Sequence, residues 1–599
     1  MTLAQLYVRD GLLALDGHFL QALEAAAPPL KLQLQQARSQ PEALTPLQES
    51  QLLLALGPYL EGFVARLFRI ETQVSDLSQR HHALAPLYAI KRKFVQRTAA
   101  RKINAEQAES IDGAALQLRL RDWFGGQFDE LVFATQVQAW LEDETGNAEK
   151  IDVALHYAAW ALHTEAGKAA HRGGILFRLP HAVDHMHLVP GAEARDQDGY
   201  RSFSIKPAQI RQRNGFALTD TGCDLRGALD QANYCILCHA QGKDSCSHGL
   251  LEKTPKDGPP LVGKAAFKRT VFGVIQTGCP LSEKISEFHS LKAGGYPLAA
   301  LAMITVDNPM AAATGHRICN DCMKSCIYQK QEPVNIPEIE TRTIKDVLAL
   351  PYGFEIYSLL TRWNPLNLRR PYPRAHTGYR VLVTGMGPAG YTLAHQLLND
   401  GHTVVGIDGL KIEPLPEHLS GVRADGSRIP FAPVAAVDDL FDALDQRILA
   451  GFGGVAEYGI TVRWDKNFLK VVRLLLERRP EFSMFGGVRF GGTLSVEDAF
   501  RLGFDHIALA LGAGRPTVLD IPNGLARGVR TASDFLMGLQ LTGAAKADSL
   551  ANLQLRLPVV VIGGGLTGID TATESLAYYP VQVEKFTQRY EQLCAERGA

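Results

Sequence analysis

A multidomain fold, helical in its first part and α/β in its last, is what this sequence predicts. Three observations predict it. Apolar residues recur at helical spacing through the first two hundred residues. Seven of the nine cysteines crowd between Cys235 and Cys326. Two glycine-rich turns, at Gly385 and Gly563, each follow a β-branched run and precede a helical pattern.

With 599 residues there is length for about four domains at roughly 150 residues each. The composition, 46% hydrophobic and 21% charged, is that of a soluble globular protein. A net charge of -1 gives no reason to expect nucleic acid or an anionic membrane surface as partner. The opening MTLAQLYVRDGLLALDGHFL lacks the basic start and continuous apolar stretch of a signal peptide. No apolar run is long enough to span a bilayer, so the expected location is the cytoplasm.

Residues 1–215 are expected to form a helical N-terminal domain. The runs QLLLALGPYLEGFVARLF (from Gln51) and VALHYAAWALH (from Val153) carry apolar residues at helical spacing. No chemical motif stands out there. His181, His185 and His187 lie close together in LPHAVDHMHLVP, but three histidines without a clear fourth ligand read better as a polar loop than as a metal set.

Residues 216–350 hold the cysteines, as Cys235-x2-Cys238-x7-Cys246, then Cys279 followed by Pro280, then Cys319-x2-Cys322-x3-Cys326. Cytosolic thiols stay reduced, so such a group holds metal more often than disulfides. Iron–sulfur clusters need thiolates, and a two-residue gap lets a loop wrap one corner of a cube. Seven cysteines suit two four-iron clusters with one ligand from another residue. On spacing alone, structural zinc stays an alternative, because it also takes Cys-x2-Cys pairs.

A Pro- and Arg-rich stretch, WNPLNLRRPYPRAHTGYR (from Trp363), is expected as a linker. Residues 376–555 then change style. Val381–Thr384 read as a buried strand, followed by Gly385-x-Gly387-x-x-Gly390, with Pro388 and Ala389 inside the turn. A helix presenting Leu393, Leu397 and Leu398 on one face comes next, then a strand Thr403–Ile407 ending at Asp408. Gly385 permits the tight turn, Gly387 lets backbone approach a pyrophosphate, and Gly390 lets helix and strand pack closely. The helix N-terminus offers N–H groups and a positive dipole end to phosphates. Asp408, 23 residues past Gly385, is placed for a ribose hydroxyl. This is a Rossmann-like dinucleotide site, and the motif alone does not choose between FAD and NAD.

Residues 556–599 repeat the design. Val559–Ile562 are expected as a strand, with Gly563, Gly565, Thr567 and Gly568 in the following turn. The chain then stops, and a nicotinamide domain needs roughly a hundred residues more. The reading is therefore an incomplete NAD(P)-binding domain, truncated at its C-terminus. Glu584 could be its ribose acid, favouring NADH, but VEKFTQRYEQL reads better as a helix with Val583, Phe586, Tyr590 and Leu593 at helical spacing. NADPH or NADH stays open.

The texts YCILC…SC, GCPLSEKISEF, NPMAAATGHRICNDCMKSC and EPVNIPEIE resemble the iron–sulfur domain shared by the small (beta) subunit of bacterial glutamate synthase and the N-terminal part of dihydropyrimidine dehydrogenase. The likeness covers roughly residues 230–580. Two departures matter: about thirty extra residues between Cys246 and Cys279, and a shorter gap from Cys319 to Cys322. The resemblance implies two [4Fe-4S] clusters, one held by Cys235, Cys238, Cys246 and Cys326. The other would be held by Cys279, Cys319, Cys322 and Glu340, a residue that otherwise reads as a surface carboxylate. It implies FAD at the first glycine motif and NADPH at the second. It also matches FDHIALALGAGRPTVLDIPNG (from Phe504) to a second flavin signature with its turn at Gly512, which otherwise is a plain strand and loop.

The resulting expectation is an NAD(P)H-dependent oxidoreductase, glutamate synthase small-subunit-like, passing electrons through FAD and the clusters. Its acceptor would be a redox partner subunit or a C-terminal domain missing from this chain. Two alternatives stand beside it: a non-catalytic electron-transfer or assembly fragment, and a zinc-structured scaffold. No nucleophile or acid–base set is expected, because the cofactors carry the chemistry.

Overall fold

The computed structural model describes residues 1–598 apart from 190, 253–265, 317, 446–450, 459–463 and 514–515. Helices dominate up to Ala170, as their apolar spacing requires. The longest of these, Pro46–Phe68, shows why it starts and stops where it does. Thr45 accepts from the Gln48 backbone N–H while Gln48 returns the bond, Pro46 occupies the first turn, and Arg69 ends the helix in the left-handed region at φ 57°. Among the described residues no helix is long and apolar enough to cross a membrane.

The expected 1–215 unit divides between two cores. Helices before about residue 80 pack into the same core as the cysteine region and the α/β region, around Leu53, Leu56, Leu60, Leu301 and Leu475. Residues 87–177 build a second core around Phe133, Tyr157 and Phe177, which reaches Leu229. A hairpin of two exposed strands, β1 (Glu193–Gln197) and β2 (Tyr200–Ser204), follows. The His181–His187 segment is a loop, as read from the sequence. His181 pairs with Glu332 at 3.3 Å and His187 with Asp184 at 2.7 Å.

The expected linker is instead packed. Trp363 is fully buried and donates to Asp16 at 3.2 Å; Leu366 and Leu368 are buried too. The prolines in this stretch end helices without forcing the chain into solvent.

The α/β region is a parallel four-stranded sheet in the order β5–β4–β3–β6, with β3 Arg380–Thr384, β4 Thr403–Ile407, β5 Phe482–Phe485 and β6 His506–Leu509. The helix after β3, Pro388–Asn399, buries Tyr391, Ala394, His395 and Leu398. Leu398 lies on the face expected, but Leu393 points outward. The buried stripe is set by contact with the helix Phe468–Glu477 as well as by the sheet.

The expected strand Val559–Ile562 does not form; Val560 and Ile562 are largely exposed. A strand exists only by pairing, and no described strand lies beside this segment. The expected helix over Glu584 is present within Leu566–Arg597, but its stripe Val583, Phe586, Tyr590 and Leu593 is exposed rather than buried.

A buried polar cluster ties three parts of the chain together. Arg478 pairs with Glu355 at 2.7 Å with both side chains at 1% exposure or less. Tyr7 donates to the other Glu355 oxygen at 3.0 Å, and the Arg362 guanidinium lies 3.9 Å over the Tyr7 ring. Glu355→Ala strands the buried Arg478 guanidinium. The expected loss is about 3–5 kcal/mol, read as a lowered thermal midpoint, with Tyr7→Phe costing only about 1 kcal/mol. Equal midpoints for Glu355→Ala and the parent would show that the cluster carries no such stability.

Candidate cofactor sites

Short turns and one-turn helices hold Cys238, Cys246 and Cys322. Cys235 follows the helix Leu225–Tyr234, and Leu237, at φ 54°, turns the chain so that Cys238 opens the next turn. The Leu237 N–H donates to the Cys235 sulfur at 3.4 Å. The segment between Cys246 and Cys279 leaves and returns along antiparallel pairings, Leu251 with Phe267 and Arg269 with Ile275. Its inner part, 253–265, lies outside the described residues. The excursion brings its ends together: the Cys279 N–H donates to the Cys246 carbonyl at 2.7 Å. Gly278 is required there. At φ 85°, a Cβ on it would lie 2.5 Å from the Gly249 nitrogen.

The resemblance implies two groups of donors, and burial raises the thiols in both. Burial pushes Cys235 up to about 12 and Cys238 to about 11, and both also feel Cys326. Burial raises Cys246, with Asp244, Cys326 and Cys235 adding to it. The Cys246 thiol donates to Asp244 at 3.0 Å. In the second group, Cys279 is pushed up to about 11 by burial, then by Glu283 and Glu340. Cys322 is raised well above its ordinary value by burial, Glu340 and Cys279, and Cys319, at the exposed rim, feels Glu340.

Glu340 is not a surface carboxylate. It is buried in the helix Ile336–Leu348, and burial first, then Glu283, push its carboxyl well above the usual range. Asn308 donates to it at 2.9 Å. Glu283, pushed up to about 7 by burial, shares Asn308. Sequence reasoning missed both partners; four residues separate Glu283 from Cys279, and that proximity was the available signal.

Thiols crowded and buried in this way resist ionising while they have only one another's charge. A bound cationic group reverses that, because it makes the thiolate the favoured form. Among the described residues no three His, Cys, Asp or Glu side chains converge on the single point that one ion, with sulfurs about 2.3 Å away, would need. The His181, His185 and His187 segment forms no such set either.

The first glycine loop lies at the C-terminal edge of β3, where open parallel sheets bind ligands. Gly385 has φ 95°, and a Cβ there would sit 2.3 Å from the Ala510 carbonyl oxygen. Gly390 passes so close to Gly385 that a Cβ would lie 1.8 Å from its oxygen. Gly387 caps the helix Pro388–Asn399, and Pro388 and Ala389 are exposed at its open first turn. Asp408, half-buried, accepts from the Met386 N–H at 2.8 Å and from the Leu410 N–H at 2.9 Å, which fixes its carboxylate beside the loop. Sequence reasoning missed Gly453 and Gly454, whose adjacent pairing in FGGVAEY was the signal. The Gly453 N–H donates to the Met386 carbonyl at 3.0 Å, and a Cβ on Gly454 would reach 3.3 Å from the Gly387 Cα. Gly512 is exposed after β6, at φ 71° in a turn.

The second glycine loop forms without its strand. Gly563 has φ 129°, Gly565 caps the helix that holds Thr567, and a Cβ on Gly568 would lie 2.3 Å from the Gly563 oxygen. That is the same close contact as between Gly390 and Gly385. Glu584 is exposed on the helix and bonds Gln588 at 3.4 Å.

Comparison with known proteins agrees with the α/β geometry. Residues 379–589 match the family described as pyridine nucleotide-disulphide oxidoreductase, and residues 1–69 match the RP005 N-terminal alpha-helical domain. Uncharacterized protein RP006 of Rickettsia prowazekii is 54% identical over 47% of this chain and 38% of its own length. Uncharacterized protein RP005 of the same organism is 32% identical over 47% of this chain and 94% of its own. The glutamate synthase [NADPH] small chain of Mycobacterium tuberculosis is 29% identical over 49% of this chain and 50% of its own length. The matched part thus spans well under half of RP006 and about half of the synthase small chain. By these matches the chain belongs to the family of RP005 and to the glutamate synthase small-subunit-like family of FAD/NAD(P) oxidoreductases.

Proposed function

We propose that the chain is an NAD(P)H-dependent flavin and iron–sulfur oxidoreductase that hands electrons to a redox partner, a separate subunit or a further domain. The observation that carries this reading is the first glycine loop, whose geometry suits a dinucleotide, in a chain that packs Cys235, Cys246, Cys279, Cys322 and Cys326 about one core. On the family's pattern Cys235, Cys238, Cys246 and Cys326 would hold one cluster and Cys279, Cys319, Cys322 and Glu340 the other. Bound there, FAD supplies two-electron acceptance and one-electron release, and four-iron clusters supply single-electron relay.

The chain's own residues bind and orient. The N–H groups at the open turn of Pro388–Asn399 face a pyrophosphate, and Gly387 and Gly454 keep that approach free of side chains. Asp408, already held by two backbone N–H groups, keeps acceptor capacity for a ribose hydroxyl. The buried setting of Cys235, Cys238, Cys246, Cys322 and Cys326 limits water around those donors. The relatives named as NADPH- and NADH-linked glutamate synthases support a nicotinamide donor and suggest glutamate-forming chemistry in a partner.

A second reading, a module without a working nicotinamide site of its own, is favoured by the unpaired Val559–Ile562 segment. One experiment separates the two: an anaerobic ultraviolet–visible spectrum with iron and zinc assays, before and after NADPH and then NADH. About eight irons per chain with a flavin that bleaches is the expected result. Iron and flavin without bleaching would support the module. Zinc without iron would overturn both readings.

A further inference from the structure

A cavity of about 250 Å³, lined by no residue of either glycine loop, opens where the second helical core meets the helix Leu225–Tyr234. Lys91, Arg92, Arg97 and Arg101 line it against one carboxylate, Asp230, which pairs with Lys91 at 2.6 Å. Among the described residues Arg92, Arg97 and Arg101 make no ion pair, and all three are exposed to solvent at the mouth. The floor is neutral and polar. Tyr234 and Tyr328 stack there with centroids 4.7 Å apart, and Gln331 donates to the Tyr234 hydroxyl at 2.7 Å.

The backbone that presents these cations is unusual. Lys91–Ala99 winds as a π-helix, in which residues five apart stack; the Ala100 N–H, for example, reaches the Val95 carbonyl. The lining residues follow that period: Lys91 with Gln96, and Arg92 with Arg97. In an α-helix a five-residue step would turn them about 140° apart, on different faces. π-Helical winding is rare and, as short bulges, is frequent at functional sites. Here the winding gathers cations onto one wall of a concave site.

We propose that this cavity binds a small organic oxyanion, a carboxylate or a phosphate ester, gripped by Arg92 and Arg97 with Arg101 at the rim. Planar guanidinium groups pair with two oxygens of either anion at once. The concavity and the neutral floor favour a small molecule over an extended acidic protein surface, which would need no cavity. The site is independent of the proposed electron transfer, although Tyr234 adjoins Cys235 and Tyr328 lies two residues past Cys326.

The test is titration calorimetry on the full chain at fixed ionic strength, with citrate and with glucose 6-phosphate as probes. Saturable one-to-one binding of either probe is expected, and which one binds identifies the anion. Arg97→Gln and Arg92→Gln should each weaken it about tenfold, because each removes a charge-assisted contact. Arg423→Gln, an exposed cation elsewhere, should leave it unchanged. All variants should melt with the parent, since both cavity arginines are exposed. No saturable binding of either probe, or binding kept in the Arg92→Gln, Arg97→Gln double variant, would overturn the proposal. Binding of a polyglutamate peptide with neither small anion would do so too, by making the face a protein-docking surface.

Discussion

Cys279→Ser is expected to remove about half of the iron, one four-iron cluster of two, while FAD stays bound. Serine keeps the size of the side chain but replaces a soft sulfur donor with a hard, weakly acidic hydroxyl. The backbone bond from residue 279 to the Cys246 carbonyl does not involve the side chain, so the ends of the long excursion stay joined. In the proposed assignment Cys279 shares its cluster with Cys319, Cys322 and Glu340 rather than with the Cys235 set. The loss should therefore be confined to one set, read as iron, acid-labile sulfide and the electron paramagnetic resonance spectrum. Glu340→Ala is the finer probe of the same set. A change in one cluster's resonance, with the other's kept, is expected if the carboxylate is a ligand. Unchanged iron in Cys279→Ser would mean that the second ligand set is wrong. Unchanged resonance in Glu340→Ala would leave Glu340 as a buried partner of Asn308 and Glu283 alone.

What the sequence disclosed, and what it hid, follows the range of the interactions. The unit β3–loop–helix–β4 was legible to the residue at Thr403–Ile407, because each part is fixed locally: β-branched runs, a glycine turn, then helical spacing. Strand β5 was not singled out, because Phe482–Phe485 becomes a strand by pairing with β4 almost eighty residues earlier. The Val559–Ile562 run failed for the converse reason: its propensity suits a strand, but no described strand pairs with it. The stripe over Val583–Leu593 had the right period for a helix, yet period alone does not say that a partner covers the face. At the candidate sites, cysteine spacing pointed toward metal, but not to which thiols would share it. The grouping came from the family resemblance, and Glu283, Asn308 and Gly454 emerge only once distant segments are packed together. The π-helical wall of cations is hidden for the same kind of reason, since five-residue spacing carries no meaning in an α-helix.

Gly390→Val is expected to abolish stable flavin binding, with affinity falling by about a hundredfold or more, as for a displaced anion-binding loop. The reason is distance. The Cβ alone would stand 1.8 Å from the Gly385 oxygen and 2.9 Å from its carbonyl carbon, so the loop must move away from the helix end. The loop has little freedom to do so. Gly385 is itself pressed toward the Ala510 carbonyl and its N–H is held by the Ile407 carbonyl at 2.7 Å. Moving it also shifts Met386, whose N–H and carbonyl bond Asp408 and Gly453, so the phosphate-facing turn and the ribose acid are displaced together. The iron content serves as the check on folding, because the cysteine turns lie outside this loop. Gly568→Val is the matched variant in the second loop, where the corresponding contact is 2.3 Å. It should keep the flavin and lose reduction by NADPH. Flavin retained at parental affinity in Gly390→Val would show that the first loop does not hold the dinucleotide. Reduction retained in Gly568→Val would move the nicotinamide site away from the second.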